Sequence, residues 1–367
     1  MVDRFTSHDW GDEYQALLAT KSVAVIGRSF GADLAAICLQ CLGFGHAHLI
    51  GQRQEDCFLT DDELRAITPS CSVGCWDLDM DMPLSRHALP SLDGLLAGGG
   101  HDRARVEQWV GATPLVALDG AGPASVQGIC AGMGAELLRA TIAPLEQECA
   151  DEPRIQVSDA PTLQRPDFVI AGCGGLGTIA SLVLSYACVQ QHKQARFTLI
   201  DPDIPERRNL NRQFFYALEQ GNKAEVLAES LAARYPHEYV AVPQYLEKCS
   251  ARHFRPGSVL VGCLDNSAAR ATAAKVMNAR SIPYVDGGAG AHAGQVATYL
   301  PGDNVPMTPG PTPAQRASCQ DNPIPSVITT NIVVGSCLAH AALYVASTGE
   351  RMGFRYAARP RIALRQE

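Results

Sequence analysis

The chain has no excess of positive charge: 30 Lys plus Arg stand against 38 Asp plus Glu, a formal net charge of −8. Without a basic field nothing holds a polyanionic backbone, so nucleic acid is not expected as a partner. Long apolar runs are also missing. No stretch reaches the ~18 to 20 uninterrupted apolar residues of a membrane span, and the opening MVDRFTSHDWGDEY carries acids where a signal peptide needs basic residues and then an apolar segment. The expectation is therefore no membrane association and a cytoplasmic location. Paired cysteines are lacking too. Thirteen Cys is an odd number, and most fall inside apolar runs, which excludes a disulfide framework and fits buried thiols in a reducing compartment. Cys71 and Cys75 are four apart, but no second close Cys or His pair completes a zinc ligand set.

What the sequence does have is enough apolar material, 46% of 367 residues, for a substantial core. Its length suits two domains at ~150 residues each. The two halves resemble each other. Val23-Ala24-Val25-Ile26-Gly27, then Gly31 and an Ala/Leu-rich stretch, parallels Phe168-Val169-Ile170-Ala171-Gly172, then Gly174, Gly175, Gly177 and a similar stretch. Each reads as buried strand, glycine turn and helix. A second short apolar strand follows in each half, ending at Ile50 before Gly51 and at Ile200 before Asp201. Later, TPLVALDGAG at 113–122 matches SIPYVDGGAG at 281–290, and small-residue helices at 129–142 and 332–345 close the halves. The alternation predicts an α/β fold: two tandem Rossmann-like domains with mostly parallel sheets, paired as a pseudo-dimer. The polar, proline-bearing stretch 147–166 reads as a linker. It divides the chain into a first domain over 1–155 and a second over 156–350, followed by a basic tail over 351–367.

The glycine turn of the second half has the context that nucleotide binding needs. Gly172, Gly174, Gly175 and Gly177 lie between a strand and a helix, where backbone can approach phosphate closely and helix N–H groups can meet it. Asp201, at the next strand end, suits ribose hydroxyls. NLNRQF at 209–214, GNK at 221–223 and DNSAAR at 265–270 then add Arg212, Lys223, Asp265 and Arg270. A hydride-transfer enzyme does not need these charges. An enzyme that splits a triphosphate does, because charge builds on departing pyrophosphate.

This combination over 166–346 resembles the ubiquitin-activating superfamily, the HesA/MoeB/ThiF group of adenylating enzymes. The resemblance implies ATP held by the glycines and Asp201, phosphates contacted by Asn211, Arg212, Gln213 and Lys223, Asn209 and Asn266 among the other cofactor-binding residues, and Mg2+ bound by Asp265. It implies attack of a carboxylate, typically the C-terminal glycine of a ubiquitin-like protein, on the α-phosphate. Cys319, on the proline-rich stretch 301–325 beside Arg316, is similar in position to the thioester-forming cysteine of compact single-domain activators, with Cys249 as the alternative. An E2-like conjugating enzyme would then receive the acyl group. The compact activators of bacterial ubiquitin-like conjugation operons, some of them antiphage, have this one-chain form. Sulfur-carrier or peptide adenylation of the MoeB/ThiF type and a non-catalytic nucleotide-binding scaffold remain as alternatives.

The first half has lost the corresponding groups. Arg28 and Phe30 crowd its glycine turn, Gly51 stands where Asp201 does, and no NLNRQF run follows. It reads as an inactive adenylation-like domain, with Arg4 a candidate for an arginine lent to the phosphates.

Overall fold

The computed structural model describes residues 11–68, 70–78, 91–98, 113, 115–118, 123–143, 149–154, 157, 163, 166–206, 212–213, 221–306, 327–359 and 361–367. The first half runs α1 (Gly11–Ala19), β1 (Ser22–Ile26), α2 (Phe30–Leu42), β2 (His46–Ile50), α3 (Asp61–Ile67), β3 (Ser72–Trp76), β4 (Gly94–Gly98), β5 (Leu115–Leu118) and α4 (Ala124–Ile142). Its strands form one parallel sheet in the order β3-β2-β1-β4-β5.

The second half begins with β6 (Cys149–Arg154), β7 (Asp167–Ala171), α5 (Gly175–Gln190), β8 (Arg196–Ile200), α6 (Lys223–Ala232), β9 (Glu238–Val242) and β10 (Val259–Gly262). It continues with α7 (Ser267–Arg280), β11 (Tyr284–Ala289), β12 (Ala293–Tyr299), α8 (Ile328–Thr348), β13 (Phe354–Ala357) and β14 (Arg361–Gln366). Its sheet runs β9-β8-β7-β10-β11-β12-β13-β14-β6. The first five of these strands are parallel and repeat the order of the first sheet. The internal repeat is therefore visible in topology. It extends to single backbone bonds: Gly27 N donates to the Ile50 carbonyl at 2.9 Å and Gly172 N to the Ile200 carbonyl at 2.8 Å.

The central strands β1 and β7 are buried over four of their five residues, which is why they read as unbroken apolar runs in sequence. Helices α2, α4, α5 and α8 lie between the sheets and share one core that runs through both halves. α8 is long and apolar enough to cross a membrane, yet 94% of its apolar window is buried inside the protein. A helix that is apolar all round belongs at a core, and α8 occupies one. It crosses α4 where Gly128 faces Ser336; a Cβ on Gly128 would lie 2.2 Å from the Ser336 hydroxyl, so the close crossing needs glycine.

The stretch 351–367, expected as a basic tail, carries two strands. β13 and β14 extend the sheet antiparallel from β12, with Phe354, Tyr356 and Leu364 buried and Arg355 and Arg365 exposed. The arginines are the outward half of an alternating strand pattern. Within the expected linker, β6 pairs in parallel with β14, so the change of sheet falls between Ile142 and Cys149.

Candidate functional site

The site grows from the turn between β7 and α5. Gly172 has φ +94, and a Cβ there would lie 2.4 Å from the Cys263 carbonyl oxygen at the end of β10. A Cβ on Gly177 would lie 1.8 Å from the Gly172 carbonyl oxygen. Only glycine fits either place, and the turn is wound tightly enough to aim the first turn of α5 outward. The N-cap of α5 is Gly174, and no side chain caps the helix. Its N–H groups and the positive end of its dipole remain available to an anion.

Around that N-terminus the structure gathers most of the described residues singled out in the sequence. Asp201, buried at the end of β8, accepts from Cys173 N at 2.7 Å and from Asp203 N at 2.8 Å, tying the strand end to the glycine turn. Burial pushes its carboxyl above the usual range, opposed by Lys223 and the two amides. Lys223 opens α6, which Asn222 caps through Ala224 N at 2.8 Å; its Nζ lies 3.2 Å from Asp203 Oδ2. Arg212 and Gln213 are both buried. The Arg212 carbonyl lies 3.5 Å from a Cβ position on Gly175, and Gln213 Nε2 lies 3.5 Å from one on Gly174.

Asp265 and Asn266 follow β10, next to β7, and both are exposed. Asn266 donates to Asp265 Oδ1 at 3.1 Å and caps α7 through Ala269 N at 2.8 Å. Arg270 pairs with Asp286 at 3.3 Å, and Tyr284 donates to the same carboxylate at 2.6 Å, so this arginine ties α7 to β11. Asn209, Asn211, Cys319, Arg316 and Arg4 lie outside the described residues.

The cysteine alternatives narrow. Cys249 donates to the Tyr245 carbonyl at 3.4 Å, and burial with Glu247 nearby pushes its thiol up to about 11, the opposite of an activated nucleophile. Burial likewise pushes up Cys173, and lifts Cys188 to about 12.

Sequence reading missed Asn331. It lies on α8, 1% exposed, with Nδ2 2.6 Å from where a Cβ on Gly175 would be. An asparagine inside the apolar run ITTNIVVG was the available signal.

The matching turn of the first half is filled by its own side chains. Ser29 caps α2, accepting from Ala32 N at 3.4 Å, and Gln127 Oε1 of α4 accepts from Gly31 N at 3.2 Å. Phe30, in the place of Gly175, stacks on Tyr186 at 4.3 Å between centroids. Arg28 is buried and bonded to Asp61 at 2.5 Å. The segment after β2 docks on the second half, where Asp56 accepts from Tyr186 at 2.9 Å and the Phe58 carbonyl accepts from Arg234 at 3.1 Å.

A family model described as the ThiF family matches residues 150–358, more than half of the chain. The chain belongs to the ThiF family. That puts it in the E1-like HesA/MoeB/ThiF superfamily. This ThiF-family chain is 24% identical over 144 residues to SUMO-activating enzyme subunit uba-2 of Caenorhabditis elegans, covering 37% of the chain and 23% of that relative. Among solved structures it is similar to E. coli MccB with AMPCPP and MccA, at 20% identity and TM-score 0.42 over 55% of this chain and 63% of that one. It is also similar to E. coli MccB with ATP, at 20% identity and TM-score 0.44 over 56% and 64% respectively. The chain thus spans about a quarter of the curated relative and under two thirds of either structural neighbour.

Proposed function

We propose that the second half binds ATP with Mg2+ and adenylates the C-terminal carboxylate of a ubiquitin-like protein. The carboxylate oxygen attacks the α-phosphorus, the bond from that phosphorus to the bridging oxygen breaks, and pyrophosphate leaves. Cys319 thiolate then attacks the acyl carbon, AMP leaves, and the thioester is passed to a conjugating enzyme.

One observation carries the reading: the two halves share a turn, but α2 has its first-turn amides taken by Ser29 and Gln127 while α5 has no side-chain cap. An uncapped helix N-terminus beside buried Arg212, Lys223 and Asp201 is an anion and ribose site. In this reading Asp201 takes the ribose, and Lys223 and Arg212 neutralise the phosphates. Asp265 would hold Mg2+, which typically keeps several waters and takes one or two carboxylates plus substrate phosphates, so a single exposed aspartate fits it. When bound, the ion would offset charge on the departing pyrophosphate.

Exchange of labelled pyrophosphate into ATP tests the reading. The intact chain should catalyse it with a partner ending in glycine, and Lys223→Ala should abolish it. Cys319→Ala should keep exchange and lose the thioester; unaltered product formation would instead indicate sulfur-carrier or peptide adenylation. ATP binding without exchange for any such partner would indicate a nucleotide-binding scaffold.

A further inference from the structure

We propose that Asn331 of α8 is a nucleotide-binding residue whose Nδ2 donates to a phosphate oxygen at the N-terminus of α5. The proposal rests on the ATP-binding reading above and assigns a further ligand to that site.

Three observations support it. Asn331 is 1% exposed, and its Nδ2 is buried with no hydrogen-bond partner. A buried donor left unpaired costs about 1 to 3 kcal/mol, so it calls for an acceptor. Its position names the acceptor: Nδ2 lies against Gly175, the first residue of the uncapped helix α5, where a Cβ would be 2.6 Å away. The N–H groups beside it at the start of α5 are donors as well, and an oxyanion bound there would accept from them and from Nδ2 together. All of them point to one kind of ligand, an anion.

The repeat supplies the third observation. Aligning 129–142 with 332–345 puts Asn331 opposite Gly128, next to Gln127, so α4 and α8 bring the same turn to the glycine helix of their own half. In the first half that turn presents an acceptor, Gln127 Oε1, which takes the Gly31 amide and fills the site from within. In the second half it presents a donor. One residue on from the position that matches Gln127 the polarity is reversed, and only the second arrangement adds to the demand for negative charge. Phe30 also shows what Gly175 makes room for: with a side chain there, Asn331 could not reach the turn.

The test compares the intact chain with Asn331→Leu and Asn331→Asp, using adenosine and ATP with Mg2+ as probes in calorimetric titrations, together with the Tm of each ligand-free protein. Losing a hydrogen bond to a charged group should weaken ATP binding by about tenfold or more in Asn331→Leu. Adenosine affinity should not change, since it has no phosphate. The ligand-free Tm of Asn331→Leu should stay level or rise, because an unsatisfied donor has been removed. Asn331→Asp, which sets a carboxylate against the phosphates, should bind ATP more weakly still. An equal loss for adenosine and ATP, unchanged ATP affinity in both variants, or a lower Tm in Asn331→Leu with the ATP-to-adenosine ratio preserved would each make Asn331 a packing residue and overturn the proposal. An intact chain that binds neither probe would overturn the ATP-binding reading as well, an outcome distinct from failure of the variants alone.

Discussion

Thr329 Oγ1 donates to Glu136 Oε2 at 3.2 Å, joining the first turn of α8 in the second half to the middle of α4 in the first. The same carboxylate receives Arg139 at 3.0 Å from Nε and 2.7 Å from Nη2, and Arg139 in turn donates to the Tyr14 hydroxyl at 2.5 Å. Thr329 is two residues from Asn331. A buried ion pair of the half with the closed turn therefore holds the helix turn that reaches the open one. This is a physical reason for a chain to keep the half whose glycine turn is filled by its own side chains.

Thr329→Val should cost about 1.5 to 3 kcal/mol in urea unfolding, the net worth of a hydrogen bond to a charged group. Glu136→Leu should cost about 3 to 5 kcal/mol, because it leaves Arg139 charged and buried. Glu136→Leu combined with Arg139→Leu should cost much less than the sum of the two single changes. Simple additivity in that cycle would show that the pair is not coupled.

Gly174→Ser would give α5 the cap that Ser29 gives α2. Gly174 has φ −80, and a Cβ there meets only Gln213 Nε2 at 3.5 Å, so the side chain fits. Capping should stabilise the ligand-free protein by about 0.3 kcal/mol, because glycine is itself a tolerated N-cap and serine improves on it only slightly. It should also weaken ATP binding, since the serine hydroxyl competes for the same amides. Higher stability with undiminished ATP affinity would mean that the α5 N-terminus is not where phosphate binds.

Gly177→Ala separates shape from chemistry in the same turn. Its Cβ would fall 1.8 Å from the Gly172 carbonyl, which is backbone and cannot step aside. Unfolding should show a loss of about 3 kcal/mol or more. A near-neutral result would mean the turn is looser than its hydrogen bonds indicate.

Much of this architecture was legible because parallel strands buried on both faces leave unbroken apolar runs, as at Val23 to Ile26 and Phe168 to Ala171, and because only glycine survives at Gly172 and Gly177. The stretch holding β13 and β14 reads as basic from composition because it carries Arg351, Arg355, Arg359, Arg361 and Arg365 with little acid, while the buried Phe354, Tyr356 and Leu364 between them carry the fold. The charged site residues were legible as types at spacings, Asp201 and Lys223 among them. The roles of Gln127 and Asn331 were not, since each depends on how closely a distant helix approaches a glycine turn. No local period records that distance.

Asp33 should make the stability of the folded chain depend on pH. Its Oδ2 accepts from Phe58 N at 2.9 Å and Leu59 N at 3.0 Å, in the segment that also carries Asp56 and meets Tyr186 and Arg234. Burial pushes its carboxyl up to about 7 from an ordinary 3.8, partly opposed by the two amides, Arg28 and Arg53. Between those values the folded chain holds a proton that the unfolded chain releases. Stability therefore falls as pH rises from about 4 to about 7 and levels off above. A side-chain amide at this position has no proton to lose, so in Asp33→Asn the Tm should exceed that of the intact chain by a margin that widens across this window and then stays constant. Parallel Tm curves for the two proteins through the window would mean that the carboxyl ionises in its ordinary range.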